Sequence, residues 1–357
     1  MADCIYCGSL AESLEHPLPA AFGEFEHAPL LENVICDTCN NILGLNDEQF
    51  SRCGPEALLR RYFKIQGRRQ HEKVNPHYRR SAGGGRLKTT AYDSSLNTEV
   101  EIEFMGGQEG RQLCQLVIKE DDGTSHLIPI PPDLSDPLKI REQFNNLPIR
   151  DRSTISVTFV SYPEEADRIV PLLRQVWPQL TFGPATPGAN VFSGVVTEIN
   201  LTSRYFRAIA KIAFHYFLTQ FPHISGADVC FDEIRRFIIS DQSTLDDAKK
   251  LIGRRPAPLL GNMRDGYQPD GWVAHILTAE MSGNEYLGHV QMFVSRDYPS
   301  EAYTVTLASG LRSIVTGTGH GYRYFPDGQR GRYLGEARPL RATFNPFPRQ
   351  TLLPLFS

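Results

Sequence analysis

Two Cys-x2-Cys pairs near the amino end, Cys4-Ile5-Tyr6-Cys7 and Cys36-Asp37-Thr38-Cys39, constrain this chain more than any other feature. Each pair folds into a knuckle that aims two thiolates at one point, and two knuckles complete the tetrahedral sulfur shell that zinc favours. The 28 residues between the pairs exceed the insert of a minimal zinc ribbon. That length leaves room for a small substructure pinned at both ends by the metal. Two matched spacings speak against four unrelated buried thiols. Disulfides fit less well, because the chain has 7 cysteines, an odd number, and no charged-then-apolar leader pattern. The expected location is therefore cytoplasmic and reducing.

Between the pairs lies Glu15-His16-Pro17, and Asn40 directly follows the last cysteine. Alone, a Glu-His dipeptide reads as a surface ion pair. Here it sits in a sequence whose ends the zinc brings together. Asn40 falls in the first turn of an expected helix, with Asp37 or Thr38 as its N-cap. A hairpin carrying Glu15 and His16 against that helix puts a carboxylate, an imidazole and an amide oxygen around one cleft. A hard cation such as Mg2+ takes oxygen ligands of this kind from Glu15 and Asn40. A neutral His16 can then deprotonate an attacking water.

Cys4-x2-Cys7-Gly8, Glu15-His16-Pro17, Pro19, Gly23, and Cys36-x2-Cys39-Asn40 with Leu43-Gly44 and Asp47 together resemble the zinc-bearing branch of the HNH (ββα-metal) endonucleases. The resemblance covers about 50 of 357 residues, with four motif pieces in the family's order. It implies a structural zinc on Cys4, Cys7, Cys36 and Cys39. It implies a catalytic Mg2+ or Mn2+ held by Glu15 and Asn40, His16 as general base, and Asn33 as the residue supporting the histidine's loop. Asn33 stands three residues before Cys36, where many relatives place it five before, and Gly23 is followed by Glu24 where a second glycine is common. Asp47 lies roughly 10 Å along the helix from Asn40, too far for both to bind one ion directly, and reads as structural. The implied activity is metal-dependent hydrolysis of DNA phosphodiester bonds. HNH modules joined to unassigned domains resemble bacterial restriction and anti-phage defence systems. The reading from another class is a zinc-stapled nucleic-acid-binding or adaptor protein with a vestigial nuclease site.

Charge is unevenly placed. Residues 1–51 contain nine acidic side chains and no Lys or Arg, whereas residues 52–88 contain eleven Lys or Arg and two Glu. The net charge of −4 hides this contrast. An acidic module that meets phosphates needs a cationic neighbour, and the connector after it is well placed to supply one. Arg60, Arg61, Lys64, Arg68 and Arg69 are the candidate nucleic-acid contacts, with double-stranded DNA as the expected partner. A regulatory protein or a second copy of the chain is a further candidate. No run of 18 apolar residues exists, so no membrane span is expected.

The expected fold class is α+β, and the chain divides into a ββα-metal module (1–51), a basic connector (52–88) and a larger mixed α/β domain with antiparallel sheet (89–357). That last domain is expected to select the target or to restrain the nuclease; a third reading has it sense a partner or small ligand and gate the nuclease. Residues 56–65 read as a helix and Gly83-Gly84-Gly85 as a hinge. Thr98 to Phe104 alternates apolar residues with Glu99, Glu101 and Glu103, the pattern of a strand with one wet face. A hairpin turns at Asp122-Gly123, and a helix over 164–177 is interrupted at Pro171. The strongest helix is Ser203 to Phe221. Its Arg204, Arg207, Lys211 and His215 line one face, read either as solvated or as a stripe that tracks a phosphate backbone. Strands over 273–279, 286–294 and 302–307 suggest an antiparallel meander, and residues 318–333 read as a loop rich in aromatics and arginines.

Overall fold

Helix α5, Ser203–Gln220, is the pivot of the structure, and its sequence explains why. Every residue from Tyr205 to Leu218 is buried. A helix that is apolar on nearly all sides has to be surrounded, and this one is. The computed structural model describes residues 2–63, 65, 81–82, 85–106, 109–131, 134–152, 155–179, 192–255, 273–294, 301–311, 315–325 and 334–339. Within them the fold is mixed, with helices and largely antiparallel sheets.

The chain begins with β1 (Ser13–Glu15), β2 (Glu24–Glu26) and β3 (Leu31–Ile35), then α1 (Asp37–Cys53) and α2 (Pro55–Tyr62). Strands β4 (Ser81–Ala82), β5 (Gly85–Asp93), β6 (Thr98–Gly106), β7 (Glu109–Gln112), β8 (Gln115–Lys119) and β9 (Ser125–Pro129) precede α3 (Leu138–Asn145). After β10 (Ser156–Val160), α4 (Pro163–Val176) and β11 (Phe192–Asn200) comes α5, followed by α6 (Asp232–Ile239) and α7 (Leu245–Leu251). The described chain finishes in β12 (Ile252–Arg255), β13 (Ala274–Gly283), β14 (Glu285–Val294), β15 (Ala302–Ala308), β16 (Val315–Phe325) and β17 (Leu334–Pro339).

Two compact units result, one from residues 1–86 with 199–357 and one from residues 87–198. In the first, α5 packs on a seven-stranded sheet of order β12-β15-β14-β13-β16-β17-β2. Leu277, Val290, Tyr303 and Val305 share one buried cluster with Ile209, Ala213 and Phe217 of α5. The helix lies so close that a Cβ at Gly288 of β14 would stand 2.8 Å from the Ala213 methyl. Residues 1–51 are part of this unit. Phe22, Ile35, Leu43 and Phe50, all fully buried, belong to the same cluster, and β2 adds to the sheet in parallel with β17.

The second unit carries the order β10-β8-β9 and most of the order β11-β5-β6-β7. Among the described residues, one of its two buried clusters joins Leu116, Ile118 and Ile128 to Ile140, Ile169 and Leu173, and the other joins Ala91, Val100 and Ile102 to Val117 and Val160. The hairpin at Asp122-Gly123 is present, with Gly123 at φ 87°. Two sequence readings change here. Glu101 and Glu103 are buried rather than wet, and the Glu101 backbone exchanges hydrogen bonds with the buried Gln115 side chain. Helix α4 runs through Pro171, since Ile169, Leu173 and Val176 bury on its inner face and offset the lost backbone hydrogen bond. In the first unit, residues 318–325 form part of strand β16 rather than a loop. The alternation His320, Tyr322, Tyr324 is the strand period, and aromatic residues favour it. Residues 326–333 lie outside the described residues, as do Gly83 and Gly84.

A buried carboxyl gives the first unit a pH dependence. Glu56 of α2 is 6% exposed, and the Tyr205 hydroxyl lies 2.9 Å from both of its oxygens. Burial, opposed by hydrogen bonds from its own backbone and from Tyr205, pushes its pKa from 4.5 to about 7. In the unfolded chain this carboxyl ionises near its ordinary value, whereas in the fold it keeps its proton to about neutrality. Stability is therefore greatest below the ordinary value and falls as pH rises through the window to about 7, by about 3 kcal/mol from this group. Urea unfolding of Glu56→Gln between pH 5 and 8 should lack that slope. An unchanged slope would remove Glu56 as its source.

Candidate active site and metal centre

The four motif cysteines converge. Their sulfurs all lie within 4.8 Å of one another, with Cys7 Sγ and Cys36 Sγ 3.5 Å apart. A zinc tetrahedron with Zn–S near 2.3 Å has sulfurs about 3.8 Å apart, so the cluster has the size the ion requires. The first knuckle is closed by the Cys4 N–H donating to Ser9 O (2.6 Å) and the Gly8 N–H donating to Cys4 O (2.9 Å). Gly8 sits at φ 74°, a left-handed turn that favours glycine. The second knuckle opens α1. Cys36 is the N-cap, its sulfur accepting from the Cys39 N–H at 3.5 Å, so the cap is neither Asp37 nor Thr38. Thiolates at a helix amino end are stabilised by its partial positive charge. Cys4, Cys36 and Cys39 are buried and Cys7 is exposed. Four convergent thiols in this arrangement can hold a metal such as zinc.

The Glu-His dipeptide ends β1. Strand β1 pairs antiparallel with β3, Glu15 opposite Leu31, and a bulge interrupts the register after Ser13. Asn33 is exposed within that bulge at φ 56°, a conformation asparagine tolerates better than most residues. Asn40 lies in the first turn of α1, half-buried, with its N–H donating to Cys36 O at 2.9 Å. His16 is half-buried and lines a small cleft with Pro17, Leu18, Gly23, Phe25 and Pro29. Thus β1, β3 and α1 carry Glu15-His16 and Asn40 in strand–strand–helix order, with the thiol cluster at the helix start.

Glu15 turns inward to helix α5. It is 7% exposed, and its Oε1 lies 2.5 Å from Lys211 Nζ and 3.5 Å from His215 Nδ1. Lys211 also reaches Asp47 Oδ2 at 2.8 Å, and His215 Nε2 hydrogen-bonds the Tyr6 hydroxyl at 2.8 Å. Burial alone would raise the Glu15 pKa, but the Lys211 ammonium, with His215, holds it at about 2. Burial and the nearby Glu15 charge instead lift Asp47 to about 6, against the pull of Lys211. Burial pulls the Lys211 pKa down, yet the Asp47 and Glu15 carboxylates outweigh it and raise the ammonium's pKa. Burial, against the hydrogen bond and charge of Glu15, lowers that of His215.

These contacts overturn the reading of the basic stripe on α5. Arg207 and Lys211 are each 1% exposed and His215 is fully buried, so the face neither meets solvent nor tracks a backbone. Arg207 Nε donates to Ile238 O at 2.9 Å and its Nη1 to Asp241 at 3.1 Å. Arg204 is partly exposed, 3.4 Å from Asp241. Arg60 needs the same correction. It is 7% exposed, donates to Ser51 O at 2.9 Å and stacks over the Phe22 ring, so it is not presented to DNA. Only the backbone of Arg61 is described, in α2, and Lys64, Arg68 and Arg69 lie outside the described residues. Lys211, His215 and Tyr6 are site neighbours that motif reading missed. The signal available was a helix apolar on every side yet carrying two cations one turn apart, which must find buried acids. No described helix is long and apolar enough to cross a membrane. No protein-family model, curated protein or solved structure matches this chain.

Proposed function

We propose that residues 1–51 are a zinc-stapled HNH-type module that hydrolyses DNA phosphodiester bonds, with Mg2+ or Mn2+ as catalytic ion. One observation carries the reading: Glu15-His16 at the end of β1 and Asn40 in the first turn of α1, joined by an antiparallel strand pair and stapled by four convergent thiols. The donor types suit a hard cation, since Glu15 and Asn40 both offer oxygen, although Lys211 already holds one Glu15 oxygen. Bound there, such an ion would stabilise negative charge at the scissile phosphate. His16, beside its cleft, accepts the proton of the attacking water. Lys211 and His215 hold the Glu15 carboxylate ionised and in place, and Asp47 shares the Lys211 ammonium. Arg61, Lys64, Arg68 and Arg69 supply phosphate contacts from the connector at 52–88, and the remainder of 89–357 selects the target or restrains cleavage. Incubating supercoiled plasmid with the protein and Mn2+ or Mg2+, with and without EDTA, tests this. Nicked or linear product that EDTA prevents is the expected result.

The Glu15–Lys211 ion pair favours a second reading. A carboxylate already neutralised by an ammonium needs no metal, which is what a zinc-stapled adaptor with a silent nuclease site would show. Retarded migration of the plasmid with no cleavage under either metal would select that reading and end the first.

A further inference from the structure

Among the described contacts of Glu15 and Asp47, Lys211 is the ammonium that α5 places against the 1–51 segment. Its side chain is 2% exposed, and its ammonium sits 2.5 Å from Glu15 and 2.8 Å from Asp47. The other titratable groups facing this pair are His215, 3.5 Å from the same Glu15 oxygen, and Tyr6, which reaches the far side of the His215 ring. Burying a charged amine without partners is strongly penalised, so the two carboxylates explain why Lys211 is tolerated inside the helix. The converse bears on function. A carboxylate oxygen that holds an ammonium is a donor withheld from a divalent cation, and an ammonium at this distance repels one.

The geometry points to Lys211 as an internal competitor for the divalent cation at Glu15, a positioning residue that sets how tightly the site takes its metal. This rests on the reading of Glu15 as a metal ligand. It also makes α5 a control element. The helix lies outside the motif, in the core against β13 and β14, yet it carries the charge that decides how much of Glu15 is offered to an ion. A cationic rival built into the scaffold would keep the nuclease weakly loaded until metal or substrate phosphate outweighs it.

Mn2+ binding to the full zinc-loaded chain, followed by the loss of the free-ion electron paramagnetic resonance signal, separates the possibilities. Lys211→Met should bind Mn2+ roughly tenfold or more tightly than the parent. Glu15→Gln should abolish that binding in either background. Since Lys211→Met strands two buried carboxylates and can fail to fold, Lys211→Met/Asp47→Asn removes one charge of each sign and is read the same way. A purely structural lysine would give weaker or equal binding when removed. Equal or weaker binding in a folded variant, with Glu15→Gln still losing the ion, overturns the competitor role and leaves Glu15 as ligand. Absence of any Glu15-dependent Mn2+ binding in parent and variants overturns the ligand reading, and the competitor role with it.

Discussion

Replacing Cys39 with Ser should abolish zinc binding at the thiol cluster and melt residues 2–53, lowering the thermal midpoint by about 10 °C or more. The size follows from what the thiol cluster holds. Structural zinc sites of this type contribute roughly 10–16 kcal/mol of apparent binding energy at neutral pH, comparable with the whole stability of a domain. The short strands β1 and β3 and the first knuckle have little else of their own. Ser13 donates to Asp37 across the same junction, and the Cys36 cap and the Gly8 turn bring the thiols to where a metal would join them. The loss would spread, because Phe22, Ile35, Leu43 and Phe50 are fully buried in the cluster that contains α5. Colorimetric zinc release and a thermal melt check this together. Cys230→Ser is the control, since Cys230 is a half-buried thiol outside the cluster and should keep both metal and midpoint. If Cys39→Ser retains about one zinc per chain or melts with the parent, the staple is not there.

The parts of the molecule legible in the sequence are those fixed by local chemistry. The two cysteine spacings locate the thiol cluster, because a knuckle closes within a few residues. The period of α5 gives its ends within one residue, and alternation gives β13, β14 and β15 as neighbours. Non-local partnership was not legible. Lys211 and His215 look like a wet stripe because a helical wheel shows spacing and not what lies opposite, and their partners are 196 and 200 residues earlier in the chain at Glu15. The composition held a clue. Residues 1–51 carry nine acids and no Lys or Arg, so some of that charge had to be met from elsewhere in the fold. The connector was the nearest source in sequence. Part of the answer instead comes from the middle of the chain, through Lys211, while Arg60 of the expected patch turns inward to a carbonyl and a ring. The buried Glu101 and Glu103 repeat the lesson, since alternation marks two faces of a strand without saying that either is wet.

His16→Ala should cut plasmid cleavage by roughly 10²–10⁴-fold while leaving zinc content and thermal midpoint unchanged. The two halves of this expectation come from different features. The loss is the usual contribution of a positioned general base, whose removal leaves water to shed its proton unaided. The unchanged fold is expected from where His16 sits, half-buried on a small cleft lined by Pro17, Leu18 and Phe25 and not one of the four clustered thiols. The contrast with Glu15 makes the test specific. Glu15→Gln removes a charge that Lys211 needs, so it should cost stability as well as activity, of order 3–5 kcal/mol for a broken buried pair. A histidine acting only as scaffold would instead lower the midpoint in step with the activity. Added imidazole gives a further check, since a small base that enters the vacated cleft should restore part of the cleavage by His16→Ala and none by Glu15→Gln. Cleavage by His16→Ala at the parent's rate would remove the imidazole from the chemistry and return the module to a binding role.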